Sequence, residues 1–222
     1  TRRVIRLDLP GFGLTGPFPD NDYRVEHYAS FIHAALDRLG VSRVVLAGNS
    51  FGGQVALVAT LAQPARIDRL ILVDSAGYPL APSSIPIGFR IARLPLLHHL
   101  ARVMLPRRII EDSVRNVYGE PARVTPELVD RYFELTLREG NRQALAERLK
   151  LAPVDAITER IPMIKVPTLI LWGGRDRLIP PENGQRFSRD IAGSRLEVFD
   201  DLGHVPHEED PQRTLAAVMR FL

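Results

Sequence analysis

Apolar residues along this chain fall into short continuous runs separated by stretches with helical spacing. Arg3-Val4-Ile5-Arg6-Leu7 reads as a strand. Over Tyr23–Leu39 the apolar positions Val25, Tyr28, Ala29, Phe31, Ile32, Ala35, Leu36 and Leu39 recur at helical spacing, and Gly40 fits a C-terminal cap. Arg43–Ala47 predicts a strand, Phe51–Leu61 a helix and Arg69–Asp74 another strand. Continuous apolar strands that alternate with helices predict an α/β fold, a mostly parallel, doubly wound sheet covered on both faces.

The rhythm breaks at Tyr78, and no comparable strand follows before about Pro162. Pro79, Pro82, Pro86, Pro95 and Pro106 divide the first half of this region into short pieces. Thr125-Pro126-Glu127 then opens a helix, with Thr as N-cap and Pro in the first turn. That helix is expected to reach Glu139 and stop at Gly140, and a further helix is expected over Arg142–Leu149. The α/β rhythm resumes with a strand at Val166–Trp172, a helix at Pro181–Arg189, a short strand at Leu196–Phe199 and a last helix from Asp210-Pro211 to Leu222. The expected organisation is one α/β core, residues 1–77 and 163–222, with a helical insertion at 78–162.

Composition narrows the classes. A chain of 222 residues holds one full core. No apolar run reaches the roughly 18 residues a membrane span needs. Without cysteine there is neither a disulfide nor a thiolate metal site, and the redox compartment stays open. No secretory signal is visible at Thr1, and a cytoplasmic location is expected. The net charge of +3 is local: residues 78–165 hold 14 basic and 10 acidic side chains. No interleaving of aromatic and basic residues accompanies it, so a nucleic-acid partner is not expected. Ile87–Arg108 combines apolar side chains with five arginines and no acid. It reads as a membrane-contacting surface or, in preference, as the lining of a hydrophobic pocket with arginines reaching outward. Either way it implies an apolar substrate moiety.

The candidate chemistry lies in Gly48-Asn49-Ser50-Phe51-Gly52, between the strand at 43–47 and the helix from Phe51. A serine on such a corner is strained and exposed, and glycine is expected at 48 and 52 because strand and helix approach too closely for a Cβ. A serine hydroxyl needs a base, and the base needs a group that fixes its tautomer. Ser50, Asp176 and His204 follow in that order, each on a loop after a strand, where functional residues of a parallel sheet collect. Asp74 also ends a strand and rivals Asp176; His207 rivals His204 but reads as solvated or structural. Asp200-Asp201 reads as shaping the His204 loop, and Arg175 and Arg177 as surface residues. His98 and His99 read as packing residues of the insertion, and His27 and His33 have no evident partner. No metal-ligand cluster is visible, and the glycine-rich turn lacks the Lys-Ser/Thr ending of a phosphate loop, so neither metal nor cofactor is expected.

Taken together, Asp8-Leu9-Pro10-Gly11-Phe12-Gly13, Gly48-Asn49-Ser50-Phe51-Gly52-Gly53, Leu70-Ile71-Leu72-Val73-Asp74, Leu171-Trp172-Gly173-Gly174-Arg175-Asp176 and Gly203-His204 resemble the α/β-hydrolase family, and the resemblance spans essentially the whole chain. It implies Ser50 as nucleophile, His204 as general base and acid, Asp176 as its partner, and the backbone N–H of Phe51 as oxyanion donor. It also implies that residues 78–162 form the family's helical cap over the site. The family's second oxyanion donor lies in a His-Gly-type loop, and no His-Gly dipeptide occurs here. By the same resemblance the sequence begins at the fourth strand of the fold, so an N-terminally incomplete chain is expected. The function expected first is a serine hydrolase of small carboxylic esters with an apolar part. Gly-Asn-Ser in the elbow is similar to carbon–carbon bond hydrolases of aromatic ring-cleavage products, the alternative. A catalytically silent, hydrolase-like binding protein is the reading from another class. Oligomeric state is not legible.

Overall fold

The computed structural model describes residues 2–79, 106–151 and 155–222. Four parallel strands form one sheet in the order β1 (Val44–Asn49), β2 (Ile67–Val73), β3 (Thr168–Gly173) and β4 (Arg195–Phe199). The register aligns their carboxyl ends: Asn49 lies beside Val73, Val73 beside Leu171, and Gly173 beside Phe199. Helix α1 (Val25–Arg38) precedes β1, and α2 (Phe51–Ala62) joins β1 to β2.

The two faces are sorted by the period of two along each strand. Leu70 and Leu72 of β2, with Ile170 and Trp172 of β3, point to the side covered by α2 and by α7 (Glu182–Asp190). Ile71 and Val73, with Leu169 and Leu171, point to the side covered by α8 (Pro211–Phe221), which supplies Ala217, Val218 and Phe221. Full burial of each of these Leu, Ile and Val strand side chains contributes about 1.5–3 kcal/mol. Trp172 is fully buried, and its indole N–H donates to the Ile179 carbonyl at 3.0 Å. Helix α1 lays Tyr28, Ile32 and Leu36 against Val55 of α2.

Between β2 and β3 the described chain is helical: α3 (Arg107–Val117), α4 (Pro126–Thr136), α5 (Asn141–Lys150) and the single turn α6 (Asp155–Thr158). Thr125 caps α4, its hydroxyl accepting from the Leu128 N–H at 3.3 Å. Helix α4 ends at Thr136, a turn before the expected stop, and Gly140 takes φ 83° just before α5. Helix α3, which begins immediately after Pro106, was not expected, although Ile110, Val114 and Val117 recur at helical spacing and pack together; its buried residue is Val114 alone. His98, His99 and all of the Ile87–Arg108 segment before Pro106 lie outside the described residues.

One strand expectation is overturned. Arg3–Leu7 is irregular, with Val4 79% and Leu7 42% exposed. A β-strand needs a neighbour to complete its ladder, and among the described residues the sheet consists of β1 to β4, with this segment paired to none of them. No helix of the described residues is long and apolar enough to cross a membrane.

Candidate active site

The corner between β1 and α2 is held by backbone bonds. Ser50 takes φ 53° and ψ −121°, a conformation L residues avoid. Such strain costs about 1–3 kcal/mol and persists only where the surroundings over-determine it. Here the Ser50 N–H donates to the Val73 carbonyl at 3.0 Å, while the Ser50 carbonyl accepts from Gly53 N–H and Ala76 N–H, each at 3.0 Å. A Cβ on Gly48 would run into the Gly52 carbonyl, as expected. Gly52 departs from expectation: a Cβ there meets nothing within 4 Å. The second sterically required glycine is Gly53, whose Cβ would strike Ser75.

Asp176 and His204 meet. His204 Nδ1 lies 2.7 Å from Asp176 Oδ2, and the side chains are 5% and 0% exposed. The other Asp176 oxygen accepts the backbone N–H groups of Leu178 (2.8 Å) and Ile179 (2.9 Å). With the Nδ1–H donating to Asp176, the Nε2 lone pair is left to accept a proton. The backbone of His204 is fixed on both sides: its N–H donates to the Val117 carbonyl at 2.7 Å, and its carbonyl accepts from Asn49 Nδ2 at 3.0 Å. Asn49 Nδ2 also donates to the Val73 carbonyl at 3.1 Å. The residue before Ser50 thereby ties β1 and β2 to the His204 loop, a role the sequence alone did not reveal.

The rivals are placed differently. Asp74, buried and at φ 43°, accepts the Gly173 N–H on Oδ1 at 2.8 Å and does not hold His204 in a hydrogen bond. Burial, and next to it the charge of Asp176, push its carboxyl well above the usual carboxylate range. Asp74, Asp176 and His204 nonetheless cluster, one side-chain ligand atom from each lying within 4.8 Å of the others. They are the one group among the described residues close enough to share a cation, and within it Asp176 and His204 are already bonded to each other. His207 is exposed. Asp201 pairs with Arg213 at 2.9 Å, consistent with a loop-shaping part. His33 bridges α1 to α2 through the Ala59 carbonyl (2.9 Å), and His27 faces Asp20 at 3.4 Å.

Phe51 opens α2, so its N–H has no partner within its own helix. Its ring packs 5.0 Å from Tyr28 and under the Arg148 guanidinium, 4.6 Å from the ring centroid.

Two contacts were missed by the sequence reading. Glu209 spans the His204 loop and the segment after α3: Oε1 accepts Gly203 N–H at 2.7 Å and Oε2 accepts Gly119 N–H at 2.8 Å. Arg177, expected to be a plain surface residue, donates to the Tyr118 carbonyl at 2.8 Å and the Gly119 carbonyl at 3.2 Å. Glycine is required where these segments cross, since a Cβ on Gly203 would meet the Gly119 nitrogen and the Val117 carbonyl. Neither contact has a local sequence signal; both join residues far apart in the chain.

Comparison with known proteins places the chain in a family. The chain is 29% identical over 219 residues to YugF of Bacillus subtilis, described as an uncharacterized hydrolase, covering 99% of this chain and 80% of that one. It is 28% identical over 233 residues to the 2-hydroxy-6-oxononadienedioate/2-hydroxy-6-oxononatrienedioate hydrolase of Klebsiella pneumoniae, covering 99% and 76%. The solved structure of an esterase from Thermogutta terrifontis superposes with a TM-score of 0.78 at 28% identity, covering 96% and 77%. Residues 1–218 match the model of a family of hydrolase enzymes, described as the Alpha/beta hydrolase family, and the chain belongs to that family.

Proposed function

We propose that this protein is a serine hydrolase that cleaves small carboxylic esters with an apolar moiety through Ser50, His204 and Asp176. The observation that carries the reading is the buried 2.7 Å bond between His204 and Asp176, on loops after β3 and β4; a strained serine ends β1, and its neighbour Asn49 bonds the His204 carbonyl. Ser50 Oγ attacks the ester carbonyl carbon while His204 Nε2 takes its proton. Asp176 stabilises the resulting imidazolium. The Phe51 N–H, at the positive end of α2, donates to the oxyanion. His204 returns the proton to the leaving alcohol, and water then releases the acid from the acyl-enzyme by the same route. Residues 78–162 act as a cap over this site, and the apolar composition of Ile87–Leu105 matches an apolar substrate part. A small molecule is the expected partner; nucleic acid is not.

A second reading, a carbon–carbon bond hydrolase of ring-cleavage products, is favoured by Gly48-Asn49-Ser50 and by the name of the Klebsiella relative. Asn49, however, is engaged with the Val73 and His204 carbonyls, a structural use that any substrate would need. The ester reading therefore stands first. Nitrophenyl esters of graded chain length and a ring-cleavage dienoate, assayed with wild type and Ser50→Ala, separate the readings. Ser50→Ala is expected to lower ester turnover by about 10⁴-fold or more. Turnover that survives the substitution refutes the serine mechanism, turnover of the dienoate alone promotes the second reading, and no turnover of anything favours a binding protein.

A further inference from the structure

Two buried carboxyl groups stand at the centre of this site, and the mechanism uses one of them. Asp74 is fully buried, and Asp176 has a side chain 0% exposed. An oxygen of each lies within 4.8 Å of the other and of a His204 ring nitrogen. Two carboxylates at that distance, out of water, do not both stay charged. The hydrogen bonds say which one keeps the charge. Asp176 receives three donors, Leu178 N–H, Ile179 N–H and His204 Nδ1. Asp74 receives one, Gly173 N–H on Oδ1, and its Oδ2 is buried with no donor facing it. An acceptor without a donor is costly, whereas a protonated oxygen there becomes the donor itself. The other charged group acting on Asp74, Glu209, is also acidic and favours the same neutral form. Asp74 holds this place at φ 43°, a strained backbone, although its N–H still bonds the Leu171 carbonyl at 3.0 Å.

We propose that Asp74 is a positioning residue of the hydrolytic site, a neutral carboxylic acid whose Oδ2–H donates to the Asp176 carboxylate and orients it on His204. The inference rests on the assignment of His204 and Asp176 as base and partner. Asp74 touches neither substrate nor the reacting atoms; it acts through Asp176.

Asp74→Asn keeps a donor in the same place, and Asp74→Leu removes it. Asp74→Leu is expected to lower kcat by about 10- to 100-fold with little change in KM. It also removes a donor from the Asp176 carboxylate, whose charge then acts more fully on His204, so the acid limb of the kcat/KM profile is expected to move to higher pH. Asp74→Asn rescues kcat to within a few-fold, with the acid limb where wild type has it. A charged Asp74 would give the opposite sign: Asp74→Asn would strip a negative charge from beside His204, and the limb would move to lower pH. Infrared spectroscopy supplies a readout that needs no turnover. Wild type at neutral pH should show the carbonyl stretch of a buried protonated carboxylic acid, and Asp74→Asn should lack it. Absence of that band in wild type, a downward shift of the acid limb in Asp74→Asn, or a kcat for Asp74→Asn as low as that of Asp74→Leu would each overturn the proposal. If wild type turns over no ester or dienoate, the functional reading fails while the band still decides the state of Asp74; if Asp74→Leu does not fold, Asp74→Asn carries the decision.

Discussion

Single residues at the strand ends set the electrostatics of this protein, and Asp74 has a consequence for stability. In the unfolded chain an aspartate releases its proton near about pH 3.9. In the fold, burial and the neighbouring Asp176 charge hold the Asp74 proton to well above that range. Between those two values the unfolded state binds fewer protons than the folded one, so stability falls as pH rises. The contribution of Asp74 is fully present below its unfolded pKa and is lost as pH rises through its folded pKa. Asp74→Asn has no proton to lose and should remove that decline. Thermal melts across pH are expected to show the variant gaining on wild type toward alkaline pH, with the smallest gain in acid. A gain that is the same at every pH would show that Asp74 does not titrate in this way.

At the scale of elements, the β1–α2 corner decides which substitutions the site tolerates. Gly48 faces a backbone carbonyl that has no freedom to move, because it belongs to the first turn of α2. Gly48→Ala is expected to destabilise the protein by about 1–3 kcal/mol or to displace Ser50. Gly52→Ala meets open space within a helix and should cost far less. Denaturant unfolding of the two variants tests this directly, and equal losses would refute the steric account. The same local logic explains what the sequence showed well. The continuous apolar runs of β2 and β3 and the helical spacing of α1 were legible because each pattern arises within one element. Arg3–Leu7 was misread because an apolar run encodes the capacity to be a strand, while becoming one needs a partner ladder.

Across the whole molecule, the helical segment between β2 and β3 is fastened to the loops that carry the candidate residues. Val117 bonds the His204 N–H, Glu209 joins Gly119 to Gly203, and Arg177 reaches from beside Asp176 to Tyr118 and Gly119. A second attachment lies at α5, where Asn141 Nδ2 donates to the Gly13 carbonyl at 2.9 Å. The position of His204 is thus coupled to this helical segment as well as to the sheet. Glu209→Gln replaces a carboxylate that accepts two N–H groups by an amide with one acceptor oxygen, leaving an N–H unpaired. It should cost about 1–3 kcal/mol of stability and lower kcat more than it raises KM. A variant with wild-type melting and kinetics would remove Glu209 from any such role.

The sequence by itself determined the parallel α/β core, the strained corner at Ser50, and the order in which Ser50, Asp176 and His204 arrive at the ends of strands. These follow from local causes: side-chain periodicity, glycine sterics and turn chemistry act over a few residues. Only the tertiary structure decided that Asp176 and not Asp74 holds His204, that Asn49 serves the backbone, that Gly53 and not Gly52 is sterically required, and that Arg177 and Glu209 are clasps. Each of those outcomes depends on atoms brought together from distant positions, as when Asn49 meets His204 across 155 residues of chain. Which acid pairs with the base is a matter of a few ångströms between neighbouring strand ends, and only the packing of β2 against β3 and of both against the His204 loop sets that distance.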